Sequence, residues 1–301
     1  MEIKHGQAMK VCGFSIIRNA QKYDYPILAA IQSVLPLVDK FILLVGASDD
    51  ETLEMVSSIS DKVEIHHSVW DDTLRKGGRV LAVETDKAFQ LIPKAYDWVI
   101  YIQADEVLHE KDYDVIRNAM LQNVSRKDVD GLLLNYLHFY GSYDYIATSS
   151  NWYRKEIRII KNNKKIFSYR DAQGFRKQPN EILKVVPIDA TVYHYGWVKP
   201  PEKMQKKVFD FQKLWHDNDW IAQKFESNGD FDYSGIDSLT RYEGSHPMAI
   251  QGRIQEKNWI FEFDITKEKL SFKEKIKRWV ESKTGWRPGE YKNYRVISDK
   301  L

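Results

Sequence analysis

The first hundred residues alternate between short apolar runs and stretches with apolar residues at helical spacing. Val11–Ile17 is a continuous apolar run, the pattern of a strand buried on both faces. Pro26 then opens Ile27–Leu35, where Ile27, Leu28, Ile31, Val34 and Leu35 share one helical face. Lys40–Val45 predicts a second strand. Ser48 and Glu51 have the spacing of a capping box ahead of Leu53, Val56 and Ile59. Val63–His67 predicts a third strand, Leu81 to Ile92 a helix ending near Pro93, and Trp98–Ile102 a fourth strand. This βαβαβαβ order implies an α/β fold, a mostly parallel sheet with helices on both faces.

The pattern then changes. Gly131–Phe139, Ile157–Ile160 and Ala190–His194 read as strands, with an aromatic, polar stretch over 140–154. Pro200-Pro201 marks a boundary, and helical spacing returns in Glu202–Trp215 and Phe272–Ser282. Residues 227–245 are rich in Gly, Asp and Ser and read as loop. The expected division is a catalytic domain over 1–198 and a helical C-terminal extension over 199–301.

Composition narrows the functions open to such a chain. The 301 residues carry a net charge of +2 and no basic stripe, which speaks against nucleic acid as a partner. No apolar run approaches the roughly 20 residues needed to span a bilayer. The N-terminus, Met1-Glu2-Ile3-Lys4-His5-Gly6, has no leader-like apolar region. The single cysteine, Cys12, lies in an apolar strand and reads as a buried, inert thiol. These features point to a reducing, cytoplasmic setting. Nine Trp and 17 Tyr suit a carbohydrate-handling surface.

The densest candidate chemistry is Asp97-Trp98-Val99-Ile100-Tyr101-Ile102-Gln103-Ala104-Asp105-Glu106, an apolar strand that stops at two adjacent carboxylates. In open α/β sheets ligands bind beyond the carboxyl ends of the strands. Asp105 and Glu106 would sit on such a rim, where hard oxygen ligands suit Mg²⁺ or Mn²⁺ shared with a phosphate. The plainer alternative is that Asp105 caps a helix and Glu106 is solvated.

Four segments, in order, resemble family 2-like glycosyltransferases of the GT-A fold: Phe14-Ser15-Ile16-Ile17-Arg18-Asn19, Val45 to Leu53, Asp97 to Glu106, and His194-Tyr195-Gly196-Trp197. The resemblance covers roughly residues 10 to 215. It implies inverting, metal-assisted transfer of a sugar from a nucleotide diphosphate sugar to a hydroxyl of a glycan or lipid-linked acceptor. The implied donor-binding residues are Phe14, Ile16, Arg18, Ser48, Asp50, Arg79, Gln103, Ala104 and Asp105. Arg79 follows Lys76-Gly77-Gly78, a cationic approach to a helix N-terminus suited to phosphate. Asp105 and His194 are the implied Mn²⁺ or Mg²⁺ ligands, with Glu106 supporting Asp105 from behind.

Two positions depart from the family pattern. Gly46 replaces the aspartate that pairs with the base, and Gln103 replaces the first acid of the D-x-D segment. For the general base, Asp171 is the first candidate and Glu181 the second, each with an ordinary surface ion pair as the alternative. Tyr140, Tyr143 and Trp152 are candidate acceptor contacts. The basic helix Phe272–Val280 is either a solvated helix or a peripheral contact with the inner face of a membrane. Two other functions remain open: a nucleotidyltransferase, which would want a Gly-rich loop where Arg18-Asn19-Ala20-Gln21 stands, and a sugar- or nucleotide-binding module without catalysis.

Overall fold

The computed structural model describes residues 8–74, 76–216, 220 and 229–298. The N-terminal hexapeptide considered above and residues 227–228 of the loop reading lie outside them. The first half is β1 (Val11–Ile17), α1 (Ile27–Val34), β2 (Lys40–Gly46), α2 (Thr52–Val56), β3 (Val63–Ser68), α3 (Arg79–Leu91) and β4 (Trp98–Tyr101). The second half adds β5 (Glu106–Leu108), α4 (Tyr113–Asn123), β6 (Gly131–Tyr140), β7 (Tyr145–Ala147), β8 (Lys155–Lys161), β9 (Ile166–Tyr169), β10 (Gly174–Lys177) and the long β11 (Glu181–Trp197). After these come α5 (Pro201–Gln212), β12 (Leu239–Arg241), α6 (Gln251–Gln255), α7 (Phe272–Thr284) and β13 (Tyr294–Val296).

The main sheet runs β3-β2-β1-β4-β8-β6-β11-β10-β9. Its first four strands are all parallel, as the alternating pattern requires. From β8 onward the sheet is mixed: β8 is antiparallel to both β4 and β6, whereas β6 and β11 are parallel. Successive side chains of these strands feed two cores. Val11, Phe41, Leu43, Trp98 and Ile100 meet α1, α2 and α4 on one face. Cys12, Phe14, Ile42, Leu44, Val99 and Tyr101 meet Ala88 and Phe89 of α3 on the other. The expected helices on both faces follow directly from apolar runs with no polar side.

Local chemistry differs from expectation in three places. No capping box forms: Ser48 Oγ donates to the Gly46 carbonyl and accepts from Asn19 N–H, while Asp50 Oδ1 accepts from Thr52 N–H at 3.0 Å. Helix α4 is absent from the sequence reading because only Ile116, Ala119 and Met120 are buried apolar residues on it. The C-terminal segment is tied into the sheets as well as helical, with β13 parallel to β11 and β12 paired with β7.

Glu156 is the least comfortable carboxylate of this core. Burial pushes it up to about 7, although Arg158 and a 2.8 Å hydrogen bond from Gln173 Nε2 favour its ionised form. A folded pKa above the unfolded value means the native state holds the extra proton between about pH 4.5 and 7. Stability therefore falls as pH rises through that window. Glu156→Gln removes the ionisation, so its melting temperature relative to wild type should rise from pH 5 to pH 8, by an amount worth roughly 1–3 kcal/mol. An unchanged difference across that range would refute the assignment.

Candidate functional site

The site is built at the carboxyl edge of β1, β2 and β4. Ser15 Oγ donates to the Ile102 carbonyl at 2.6 Å, pinning the turn after β4 to β1. Within that turn Gln103 N–H and Arg158 hold Glu106. Arg158 donates twice, at 2.7 and 2.6 Å, both side chains are fully buried, and Tyr136 Oη completes the carboxylate's shell. Glu106 is thus a buried anchor and not a solvated residue. Its backbone pairs with His194 across β5 and β11. The anchor therefore sets Asp105 on one side and His194 on the other.

Asp105 Oδ2 lies 3.7 Å from His194 Nε2 and 3.2 Å from Lys207 Nζ. Burial opposes ionisation of Asp105, but Lys207 and His194 outweigh it and hold the carboxyl well below its usual range. Gly196 is required here, because a Cβ would come 2.5 Å from His194 Nε2 and 2.6 Å from Asp105 Oδ2. Lys207 also donates to the Gly196 carbonyl and lies over the Tyr25 ring. Lys199, fully buried, donates to the Tyr23 and Asp24 carbonyls. Burial, with neighbouring Lys207, pushes its amine well below the ordinary lysine range.

A histidine pair orients His194. His138 Nε2 lies 3.0 Å from the Tyr153 carbonyl, an atom that can only accept, so this nitrogen carries the proton. Burial keeps His138 neutral, pushing it well below its usual range. Its Nδ1 is then an acceptor, 3.3 Å from His194 Nδ1, which must donate. With Nδ1 turned to His138, His194 presents Nε2 to Asp105, the nitrogen open to a proton or a metal ion.

A cleft of about 380 Å³ opens at the ends of β2 and β3, lined by Val45, Gly46, Ala47, Ser48, Asp50, Leu53, His67, Ser68 and Val69. The buried Ser68 Oγ and Trp70 Nε1 have no hydrogen-bond partner among the described residues. Trp70 packs on Gly46, where a Cβ would lie 2.4 Å from its indole nitrogen. Loop 18–25 links this cleft to Asp105. Asn19 contacts Ser48 and Asp49, Lys203 of α5 bonds the Gln21 carbonyl, and Tyr23 Oη donates to Asp210. Helix α5 thus runs along the rim, and the turn after it brings the Leu214 carbonyl to Gly78 N–H.

The remaining sequence candidates divide. Ile16 and Ala104 are buried near the rim, whereas Phe14 is fully buried between Phe89 and Tyr101 and presents no surface to a ligand. Arg18 is held in a bidentate pair with Asp72 over Trp70. Arg79 is exposed at the start of α3, after two left-handed glycines with φ of 66° and 65°. Gln103 Nε2 donates to the Ala172 carbonyl, which brings the Asp171 loop to the strand end. Asp171 packs against Gly78, beside Trp215, and makes no ion pair among the described residues. Burial raises its pKa. Glu181, exposed at the start of β11, lies roughly 40 Å of strand away from His194 and cannot share a substrate with it. Tyr140 and Tyr143 are core residues, at 5% and 4% exposure, while Trp152, against His138, and Trp197, against Trp152, are half-buried.

Sequence reasoning missed Lys207, Lys199, Trp70, Arg158 and the orienting role of His138. Lys207 had a signal, standing one turn after Lys203 on the same face of α5, whereas Lys199 lies in the bend ahead of that helix. Arg158 had none, being one charge inside an apolar strand.

No family model and no curated protein matches the chain. Solved structures that it resembles include S. aureus TarS, at 12% identity and a TM-score of 0.39, covering 67% of this chain and 39% of that one. Another is Mycobacterium tuberculosis glucosyl-3-phosphoglycerate synthase in complex with Mn²⁺, uridine-diphosphate and phosphoglyceric acid, at 15% identity, a TM-score of 0.29 and 43% of each chain. A third is mannosyl-3-phosphoglycerate synthase from Rubrobacter xylanophilus, at 17% identity, a TM-score of 0.29, covering 45% of this chain and 42% of that one. This chain therefore spans less than half the length of each of these three.

The geometry makes one energetic prediction. Arg158→Met should destabilise the protein by about 3–5 kcal/mol, because it leaves Glu106 charged, buried and unpaired. Restoring neutrality with Arg158→Met plus Glu106→Gln should recover a large part of that loss in chemical denaturation. No recovery would mean the pair is not the anchor.

Proposed function

We propose that this protein is a glycosyltransferase that moves a sugar from a nucleoside diphosphate sugar to an acceptor hydroxyl, with inversion at the anomeric carbon. The observation that carries this reading is the convergence of Asp105, His194 and Lys207 on one rim, joined through loop 18–25 to a cleft lined by Ser68 and bordered at Gly46 by Trp70, whose buried Oγ and Nε1 have no partner among the described residues. The cleft takes the base and ribose, where Ser68 Oγ and Trp70 Nε1 gain partners. Trp70 fills the space opened by Gly46, in place of the family's aspartate. The diphosphate then reaches the rim, where Lys207 and the N-terminus of α3 with Arg79 oppose its charge.

Asp105 and His194 fit a divalent ion in a limited way. They are one carboxylate and one imidazole, and the described residues contain no cluster of three such ligands. That donor set suits Mn²⁺ or Mg²⁺ when phosphate oxygens complete the shell. Once bound, the ion would neutralise charge building on the leaving diphosphate.

Asp171, its pKa raised by burial, is the proposed base. The acceptor oxygen bonds to the anomeric carbon as its proton passes to Asp171, and the bond from that carbon to the diphosphate oxygen breaks. The half-buried indoles of Trp152 and Trp197 form the wall on which an acceptor sugar packs.

Three measurements test this. Thermal shift against a panel of nucleoside diphosphates should show stabilisation that is larger with Mn²⁺ than with chelator. Equal shifts would remove the metal, and no shift with any nucleotide would end the reading. Asp105→Ala should remain folded and abolish transfer, and normal turnover would sink the rim assignment. Asp171→Asn should keep donor binding and slow transfer by roughly 10²–10⁴-fold. An unchanged rate passes the role to another acid.

A further inference from the structure

Helix α7 is amphipathic in the wrong sense for a helix packed on a protein core. Ser271 Oγ caps its start by accepting from Glu274 N–H, and left-handed Gly285 closes its end. The face turned toward the body is charged. Glu274 bonds Ser150, Arg278 bonds Glu268, Ser238 and Thr148, and Glu281 bonds Arg154 and Arg287. The face turned to solvent is apolar: Phe272 is 80% exposed, Ile276 48% and Trp279 64%, with Trp286 59% exposed just beyond the helix. At about 100° per residue, Phe272, Ile276 and Trp279 fall within roughly 60° of one another, opposite Glu274 and Glu281.

The charge around that apolar stripe is of one sign. Lys273, Lys275 and Lys283 are exposed and make no ion pair with another described residue. Both carboxylates of the helix point inward, so the outer face carries no acid. A helix held by its polar side and offering aromatic residues with a border of free lysines is complementary to an anionic bilayer surface. Its rings reach the acyl boundary while the lysines meet headgroup phosphates. A protein partner would leave those lysines to find carboxylates of its own.

We propose that α7 docks this protein on an anionic membrane surface through Phe272, Ile276, Trp279 and Trp286, with Lys273, Lys275 and Lys283 binding the headgroups. The placement has a consequence for the proposed transfer reaction. Arg287 donates to the Trp152 carbonyl and Glu281 bonds Arg154, so the docked helix holds loop 149–154 near the lipid. That loop carries Trp152 of the acceptor wall and the Tyr153 carbonyl that orients His138. An acceptor anchored in the same bilayer would be presented there. The docking itself does not depend on the reaction, and it is measured without it.

The test is co-sedimentation of the full chain with vesicles of phosphatidylcholine alone, or with phosphatidylglycerol added, at low and high salt. Wild type should bind the mixed vesicles, weaken as salt rises, and bind neutral vesicles poorly. A Phe272→Ser/Trp279→Ser variant and, separately, a Lys273→Glu/Lys275→Glu/Lys283→Glu variant should each lose about tenfold or more in binding. Both should keep the wild-type melting temperature and nucleotide response, since these side chains are exposed. The proposal is overturned if wild type does not bind, binds neutral vesicles equally, or if either variant binds as wild type does. It is also overturned if sedimentation shows a dimer that Trp279→Ser abolishes, which would assign the face to a second copy. Failure of nucleotide binding with vesicle binding intact would instead count against the proposed function alone.

Discussion

The candidate site depends on one buried ion pair. Glu106 and Arg158 have no solvent to share, so each must find its partners inside the protein. A pair of this kind contributes little net stability compared with apolar side chains of the same volume. Its value here is positional. Glu106 fixes the turn that ends at Asp105, pairs by backbone with His194, and binds Tyr136. Arg158 also donates to the Gln173 carbonyl, and so extends the same constraint to the loop that bears Asp171. One charge pair thus sets the distances among the three residues proposed to do the chemistry.

The rim that results is electrostatically unusual. The immediate counter-charge of Asp105 is the Lys207 ammonium. Lys199 lies deeper, at a cost in desolvation that pushes its proton toward release. A diphosphate bound as proposed would change this balance, offering Lys207 a second anionic partner and freeing part of the Asp105 carboxylate for an ion shared with His194. The neutral Gln103 fits this arrangement, since a second carboxylate beside Asp105 would strengthen the grip on Lys207. The Gln103 amide instead ties the strand end to Ala172.

How much of this was legible in the sequence follows from the physics of each element. The four parallel strands and the helices between them were readable because double-sided burial demands unbroken apolar runs such as Phe41 to Val45. Helix α4 was not, because three buried apolar residues among charges give too weak a period. The short strands β12 and β13 are held by β7 and β11, far away in sequence, and no local pattern encodes such a partner, while β7, β9 and β10 are hairpin strands of three or four residues, too short to show a period. In the site, Asp105 and His194 stood out because each ends an apolar run. Lys207 and His138 act through contacts across 102 and 56 residues of sequence, which only the fold supplies. Phe14 misled for the opposite reason: the resemblance implied a donor contact for it, but alternation along β1 turns it into the α3 core.

Two helices outside the sheet divide the work that the sheet cannot do. Helix α7 is attached by charge, whereas α5 joins polar contacts to an apolar anchor, with Met204 buried and Val208 packed against the cluster of Tyr140, Tyr145 and Tyr233. Helix α5 brings Lys203 and Lys207 across the strand ends, where an apolar helix would seal the rim against a phosphate. Helix α7 uses its glutamates and Arg278 to bind the body, which frees its aromatic side for something outside the chain. Polar attachment leaves the outer face of α7 uncommitted, because hydrogen bonds and ion pairs use specific atoms while apolar packing uses the whole face. The loop between them, 149–154, is bonded to α7 on one side and to His138 on the other. Surface attachment and the orientation of His194 are therefore linked through six residues of backbone.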